Sequence, residues 1–221
     1  MAKLKPAARR ALTQERRQQI LKAAATVFAA KGFDRATIAD IARTAGIAEG
    51  SIYNYFTSKD DLLISILREA IQPPVESVSA MMQSASVDAL PPEQMLTLMA
   101  QNLVTTIRQN AHLFRILLSA VPVLSPRARD KYLHQVVFYV IQLLEDYFRR
   151  QIARGTLRAG LAPTDLATAF VGMFVPFVLF REVLQIESAP KPDYDRLIAA
   201  NVSLFLRGAL AEKRARKIKV E

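Results

Sequence analysis

The chain has 221 residues, enough for one large domain or a small one joined to a larger, and no cysteine, which removes disulfides, thiolate metal sites and a thiol nucleophile together. Thirty Lys and Arg against twenty Asp and Glu leave a formal charge of +10, an excess that favours a polyanionic partner because cations near phosphates release condensed counterions. The two histidines, His112 and His134, belong to no HExxH pattern, and no phosphate loop or GxSxG elbow is present, so the composition argues against an enzyme and calls for no metal or cofactor.

Charge is concentrated at the start of the chain. Up to Lys59 there are eleven basic residues, beginning with Lys3, Lys5, Arg9 and Arg10, against Glu15, Asp34, Asp40 and Glu49. That start lacks the continuous apolar stretch of a secretory leader, and the most apolar run, 170–180, is short of the roughly 20 residues of a bilayer span. The expectation is a soluble, cytoplasmic protein that does not engage a membrane.

Strand signals are poor, and helical periodicity runs throughout, so an all-α chain is expected. Ile20, Ala24, Val27 and Phe28 lie on one helical face that ends at Lys31 and Gly32; residues 1–12 before it read as a basic arm. Thr37 and Asp40 have capping-box spacing at the start of a second helix carrying Ile38, Ile41, Ala42 and Ala45 up to Gly46. A short third helix spans about 49–55. A fourth begins near Ser58 with Leu62, Leu63, Ile66 and Leu67, and Pro73 and Pro74 are expected to stop it. Further helices are expected at 74–84, 91–109, 112–121, 126–154, 163–187 and 192–212, several opened by proline. Pro176 should bend or loosen the penultimate one, because it offers no N–H to the carbonyl of Gly172. The resulting division is a basic N-terminal segment at 1–57, a helix at 58–72, a larger domain at 73–212 and a basic tail at 213–221.

The spacing from Ile38 to Tyr55 is that of a helix-turn-helix: small Ala42 where two backbones cross, Gly46 at a turn that tolerates positive φ, and Ile41, Ala45, Ile47 and Ile52 as the contacts that fix the angle. The strings TIADIA at 37–42 and GIAEGSIYNYFTSKDDL at 46–62 closely resemble the N-terminal signature of TetR-family regulators. The resemblance covers about residues 13–63; beyond them only length, helical character and two long C-terminal helices agree. It implies a three-helix DNA-binding reader at 1–57, a connecting helix at 58–72 and a divergent C-terminal domain at 73–212 for ligand binding and dimerisation.

Carried over by position, Thr37 would hold a phosphate or act as a plain N-cap, and both roles are compatible. Gly50 and Ser51 open the third helix, where glycine permits close approach to DNA and the hydroxyl reaches base or phosphate, unless Gly50 merely starts a short helix. Tyr53 and Tyr55 match aromatic positions that present polar tips to DNA, although for Tyr55 inward packing is an equal alternative. Asn54 is the best base-reading candidate, since an amide pairs bidentately with adenine. Lys59 matches a phosphate-contacting lysine, and a cation at a helix N-terminus must serve something outside that helix. Glu49 departs from the family pattern; it would accept from cytosine N4 or repel phosphate. Arg43 and the arm from Lys3 to Arg17 are further backbone or minor-groove contacts, although most of that arm also reads as a solvated tail.

One short recognition helix reads too few base pairs for a genomic address, so a homodimer on a near-palindromic double-stranded operator is expected. Phe174, Phe177, Phe180, Val202, Phe205 and Leu206, on the last two helices, are its candidate interface. Candidate walls of an effector pocket are Met95, Met99, Leu103, Phe114, Leu118, Phe138, Tyr139 and Phe170, with His112 and Arg115 as polar anchors; ordinary core and surface roles compete for all of them. The functional expectation is a ligand-responsive repressor released from its operator by a small apolar or amphipathic effector.

Overall fold

The fold was obtained as a computed structural model, which describes residues 6–83, 90–132, 134, 137–188 and 191–210. The described residues are helical apart from loops and one isolated bridge between Leu157 and Leu210. In chain order the helices are α1 (Pro6–Lys31), α2 (Ile38–Ala45), α3 (Glu49–Ile52), α4 (Lys59–Gln83), α5 (Pro92–Gln109), α6 (Ala111–Ala120), α7 (Pro126–Tyr132), α8 (Phe138–Ala153), α9 (Pro163–Gly172), α10 (Val175–Val178) and α11 (Tyr194–Ala209). The basic tail expected from residue 213 lies outside the described residues, as do Lys3 and Lys5.

Two compact units emerge: the chain up to Ala70 together with His112–Leu133, and Ile71–Ala111 together with His134 onward. The first unit is wider than the sequence suggests. Its core joins Ile20, Ala24 and Phe28 of α1, Ile41 and Ala45 of α2, Ile52 and Phe56, and Leu62, Leu63 and Leu67 of α4. It also takes in Leu113, Ile116, Leu117 and Ala120 of α6, then Leu124 and Ala128, so these helices pack with the reader. Burying each such Leu, Ile or Phe contributes about 1.5–3 kcal/mol.

The start of α1 and the end of α4 differ from expectation. The α1 helix starts at Pro6, so residues 6–12 are helical, with proline in the first turn and alanines at 7, 8 and 11 as strong helix formers. The α4 helix passes through Pro73 and Pro74 to Gln83. Two prolines leave two carbonyls one turn earlier without N–H partners, but Ile71 and Val75 on either side are buried, and that packing sustains the helix.

In the second unit an aromatic stack holds α8, α9 and α11 together: Phe148 meets Phe170 and Phe205, and Phe170 meets Phe174 and Phe205, with ring centroids 5.1–6.3 Å apart. The helix from Pro163 breaks at Met173 and Phe174, resumes as α10, and widens into a π-helical turn over Leu179–Val183. Asn201 of α11 donates Nδ2 to the Met173 carbonyl at 2.9 Å, satisfying one acceptor at the break. Pro163–Val183 is long and apolar enough by composition to cross a bilayer, with a mean hydropathy of 1.7, which corrects the shorter apolar run expected. Phe170, Phe174, Val178 and Val183 are nevertheless buried in the unit, leaving one apolar face outward.

Candidate nucleic-acid interface

Local sequence fixes the reader. Thr37, in extended backbone geometry, caps α2 reciprocally: its Oγ1 accepts from the Asp40 N–H at 3.1 Å, and its own N–H donates to Asp40 Oδ2 at 3.3 Å. The Thr37 hydroxyl also donates to Oδ2 at 2.9 Å. Asp40 is buried beneath this cap and takes the Lys31 ammonium at 2.7 Å together with the guanidinium of Arg43. The hydrogen bond from Lys31, then that from Thr37, holds its carboxyl down at about 2. Gly46 ends α2 in the left-handed region, φ 65°, where its N–H bonds the carbonyls of Ala42 and Arg43, and the chain turns into α3.

The α3 helix is only four residues long, and its Ala48 N-cap supplies no side-chain bond. Burial of Ile52 and Phe56 anchors it and leaves Glu49, Gly50, Tyr53 and Asn54 facing out. Glu49, Gly50 and Asn54 are exposed, Ser51 is half-buried and Tyr53 is 56% exposed. A Cβ on Gly50 would meet nothing within 4 Å, so the fold itself does not demand glycine there and the space is open to an external partner. Tyr55 packs against the core and so takes the inward alternative.

Two expected phosphate ligands are otherwise engaged. Lys59 donates from Nζ to the carbonyls of Phe33, Asp34 and Ala36 at 2.8, 3.1 and 3.0 Å, and lies 4.6 Å from the Phe33 ring centroid. Its three protons are consumed by the α1–α2 loop, which corrects the phosphate assignment and answers what a cation does at that helix start. Arg17, counted with the arm, donates to the Tyr55 carbonyl at 3.0 Å with its guanidinium 4.3 Å from the Phe56 ring centroid. Beside it Gln19 donates to the Ala45 carbonyl at 2.6 Å and Gln18 to Glu69 at 2.7 Å. Sequence reasoning missed these α1 clamps, because polar residues on a basic helix read as solvated surface. Arg43 is engaged as well, through its ion pair with Asp40, but its side chain stands 76% exposed at the α2 edge.

A family model described as bacterial regulatory proteins of the tetR family matches residues 20–66. Another, the C-terminal domain of AefR-like transcriptional repressors, matches residues 94–208, more than half of the chain. The chain belongs to the TetR family. A repressor named KstR2 from Mycolicibacterium smegmatis is 44% identical over 54 residues, 24% of this chain and 26% of the relative. The fatty acid metabolism regulator of Bacillus subtilis is 45% identical over 51 residues, 23% of this chain and 26% of the relative. These matches span only about a quarter of either relative. Two solved folds extend further: a TetR-family regulator from Mesorhizobium loti (TM-score 0.72, 19% identity, 90% of this chain and 98% of that one) and FadR of Bacillus subtilis in complex with stearoyl-CoA (TM-score 0.70, 21% identity, 86% and 98%). At such identities they establish the fold. TetR-family relatives are transcriptional regulators and not enzymes.

The remaining expected residues divide sharply in this TetR-family chain. Met95, Met99 and Phe170 are buried and Leu103 half-buried in the second unit, consistent with walls or plain core. Phe138 and Tyr139 are 43% and 42% exposed, which corrects their assignment as walls, and Leu118 is exposed as well. His112, Phe114, Arg115 and Leu118 belong to the first unit, with His112 and Arg115 exposed. Of the interface candidates, Phe174, Val202, Phe205 and Leu206 are buried within their own unit, the first three as parts of the face that α9–α11 turn inward. They are corrected to core. Phe177 and Phe180 stand outward, joined by Leu184 and by Leu204, which sequence reading did not select. An open groove of about 310 Å³ borders Leu204, lined by Arg158, Leu161, Leu166, Met173, Phe205, Gly208 and Ala209.

Proposed function

We propose that this TetR-family chain is a homodimeric repressor that reads a near-palindromic DNA operator through α3 and the turn after it, and leaves the operator when an apolar or amphipathic effector binds its second unit. The observation that carries the reading is the reader's division of labour. Ile52 and Phe56 are buried while Glu49, Gly50, Tyr53 and Asn54, on the same short stretch, are exposed together. A helix of this size with one face bolted down and polar, aromatic and glycine positions on the other suits entry into a major groove. Asn54 reads a base, Tyr53 and Arg43 engage the backbone, and Gly50 lets the helix approach closely. Such work is done in the cytoplasm.

The effector class follows from chemistry and analogy together. The stearoyl-CoA bound by Bacillus subtilis FadR is an amphipathic thioester with a long alkyl chain, and in this chain the second unit's interior is built from Met, Leu and Phe side chains. Effector binding would favour a conformation in which α4 no longer holds two recognition helices one DNA turn, about 34–36 Å, apart.

Selection of DNA from a random pool by the full-length protein tests this reading. A two-fold symmetric motif, bound at least about 10³ times more tightly than random duplex, is the expected result. Asn54→Ala should blur one position of each half-site. Binding indifferent to sequence would replace the repressor with an architectural DNA-binding protein.

A further inference from the structure

We infer that Arg17, on α1, is a positioning residue for base recognition: it sets the recognition turn without touching DNA. The inference rests on the operator-reading function above and adds to it the residue that fixes the reader's exit geometry.

The four residues of α3 form too short a helix to hold their own shape, since nucleating one turn fixes several dihedrals for a single hydrogen bond. Its start has no side-chain cap. Its end is closed by backbone bonds from Tyr55 and Phe56 to the Ile52 carbonyl, 2.9 and 3.0 Å, which leaves the Tyr55 carbonyl itself facing α1. Arg17 meets that carbonyl at 3.0 Å and lays its guanidinium plane near the Phe56 ring. A half-buried, charge-assisted hydrogen bond and a cation–π contact therefore converge on residues 55 and 56. Tyr53 and Asn54, the exposed readers, occupy the two positions immediately before them. Their direction is set from below by buried Ile52 and from behind by Arg17.

This arrangement also separates Arg17 from a phosphate ligand. A guanidinium engaged with a carbonyl and a ring is oriented inward, and its loss should disturb which bases are preferred more than how strongly polyanion is held. A phosphate contact has the opposite signature: affinity falls alike for every sequence, and the salt dependence flattens by about one unit.

The test uses full-length wild type, Arg17→Ala and Arg17→Gln. Each is titrated by fluorescence anisotropy against the selected operator and a random duplex at several salt concentrations. Arg17→Ala should weaken operator binding by on the order of tenfold, the scale of one lost base contact, with random-duplex affinity and salt slope nearly unchanged. Arg17→Gln is neutral but keeps an N–H donor, and should recover part of the lost preference. A parallel loss on both duplexes with a flatter salt slope, Gln then behaving like Ala, overturns the proposal in favour of a phosphate contact. Unchanged operator preference in Arg17→Ala overturns it outright. Should Arg17→Ala fail to fold, the Gln variant alone decides: reduced preference at an unaltered salt slope supports positioning, and a flattened slope or wild-type preference refutes it. Wild type that shows no preference would instead remove the operator-reading function on which the inference stands.

Discussion

Three carbonyl oxygens, on Phe33, Asp34 and Ala36, share the ammonium of Lys59. Removing that ammonium strands three acceptors of a tight loop, and hydrogen bonds from a charged donor are worth about 1.5–3 kcal/mol. Lys59→Ala should therefore lower stability by about 2 kcal/mol in urea denaturation while leaving the salt slope of DNA binding unaltered. A second residue-level consequence concerns acid. Asp40 has its carboxyl held at about 2, against an ordinary 3.8, by Lys31 first and Thr37 next. Because the folded value is the lower one, the unfolded chain takes up the proton first as pH falls. The stabilisation is complete above about pH 4 and is lost on the way down to about pH 2. Asp40→Asn should flatten the fall in the urea midpoint across that window, and an unchanged fall would assign acid sensitivity to other carboxylates.

Among elements, α7 was the least legible. It is seven residues long, and its place in the first unit depends on partners about 65–70 positions away: Asp60 accepts from the Ser125 hydroxyl at 2.9 Å, and Lys131 meets Asp61 at 2.6 Å. No local pattern announces such pairs, whereas the capping box and Gly46 turn of α2 are wholly local and were read correctly from spacing. Pro73 and Pro74 misled for a related reason, since proline's local cost is visible in sequence and the packing that offsets it is not. Burial pushes the Asp61 carboxyl up, but the hydrogen bonds and charge of Lys131 and the Thr57 bonds outweigh it, so its pKa lies below the ordinary value. Lys131 is 43% exposed, which limits the pair to about 1 kcal/mol or less. The measurable effect of Lys131→Met should accordingly be local: faster amide hydrogen exchange over 126–132, with little change in global unfolding. Exchange there should also accelerate in the native chain as pH falls below the ordinary aspartate range, once corrected for intrinsic rates.

For the whole molecule, the homodimer proposed above needs an apolar surface to join two copies. Hydrophobic runs in the last helices raise the expectation of a shared surface, but run-level hydrophobicity does not say which side of a helix turns inward. Phe205 and Val202 face the aromatic stack, while Leu204 between them in register is 61% exposed, with exposed Ala200 and Gly208 one turn away on either side. Small residues flanking a leucine let a second helix approach closely, and Phe177 and Phe180, each 47% exposed, extend the apolar area. A charge at Leu204 would be desolvated in a dimer yet mostly wet in a monomer, so it acts on assembly and spares the fold. Leu204→Glu should sediment as a monomer at micromolar concentration with helicity intact, and its operator affinity should fall by more than tenfold because two half-sites are no longer bound together. Phe205→Ala is the contrasting case: it opens a cavity in the stack and should cost about 3–5 kcal/mol of folding stability. A Leu204→Glu protein that stayed dimeric at wild-type affinity would move the interface to another face and leave the outward phenylalanines to serve some other partner.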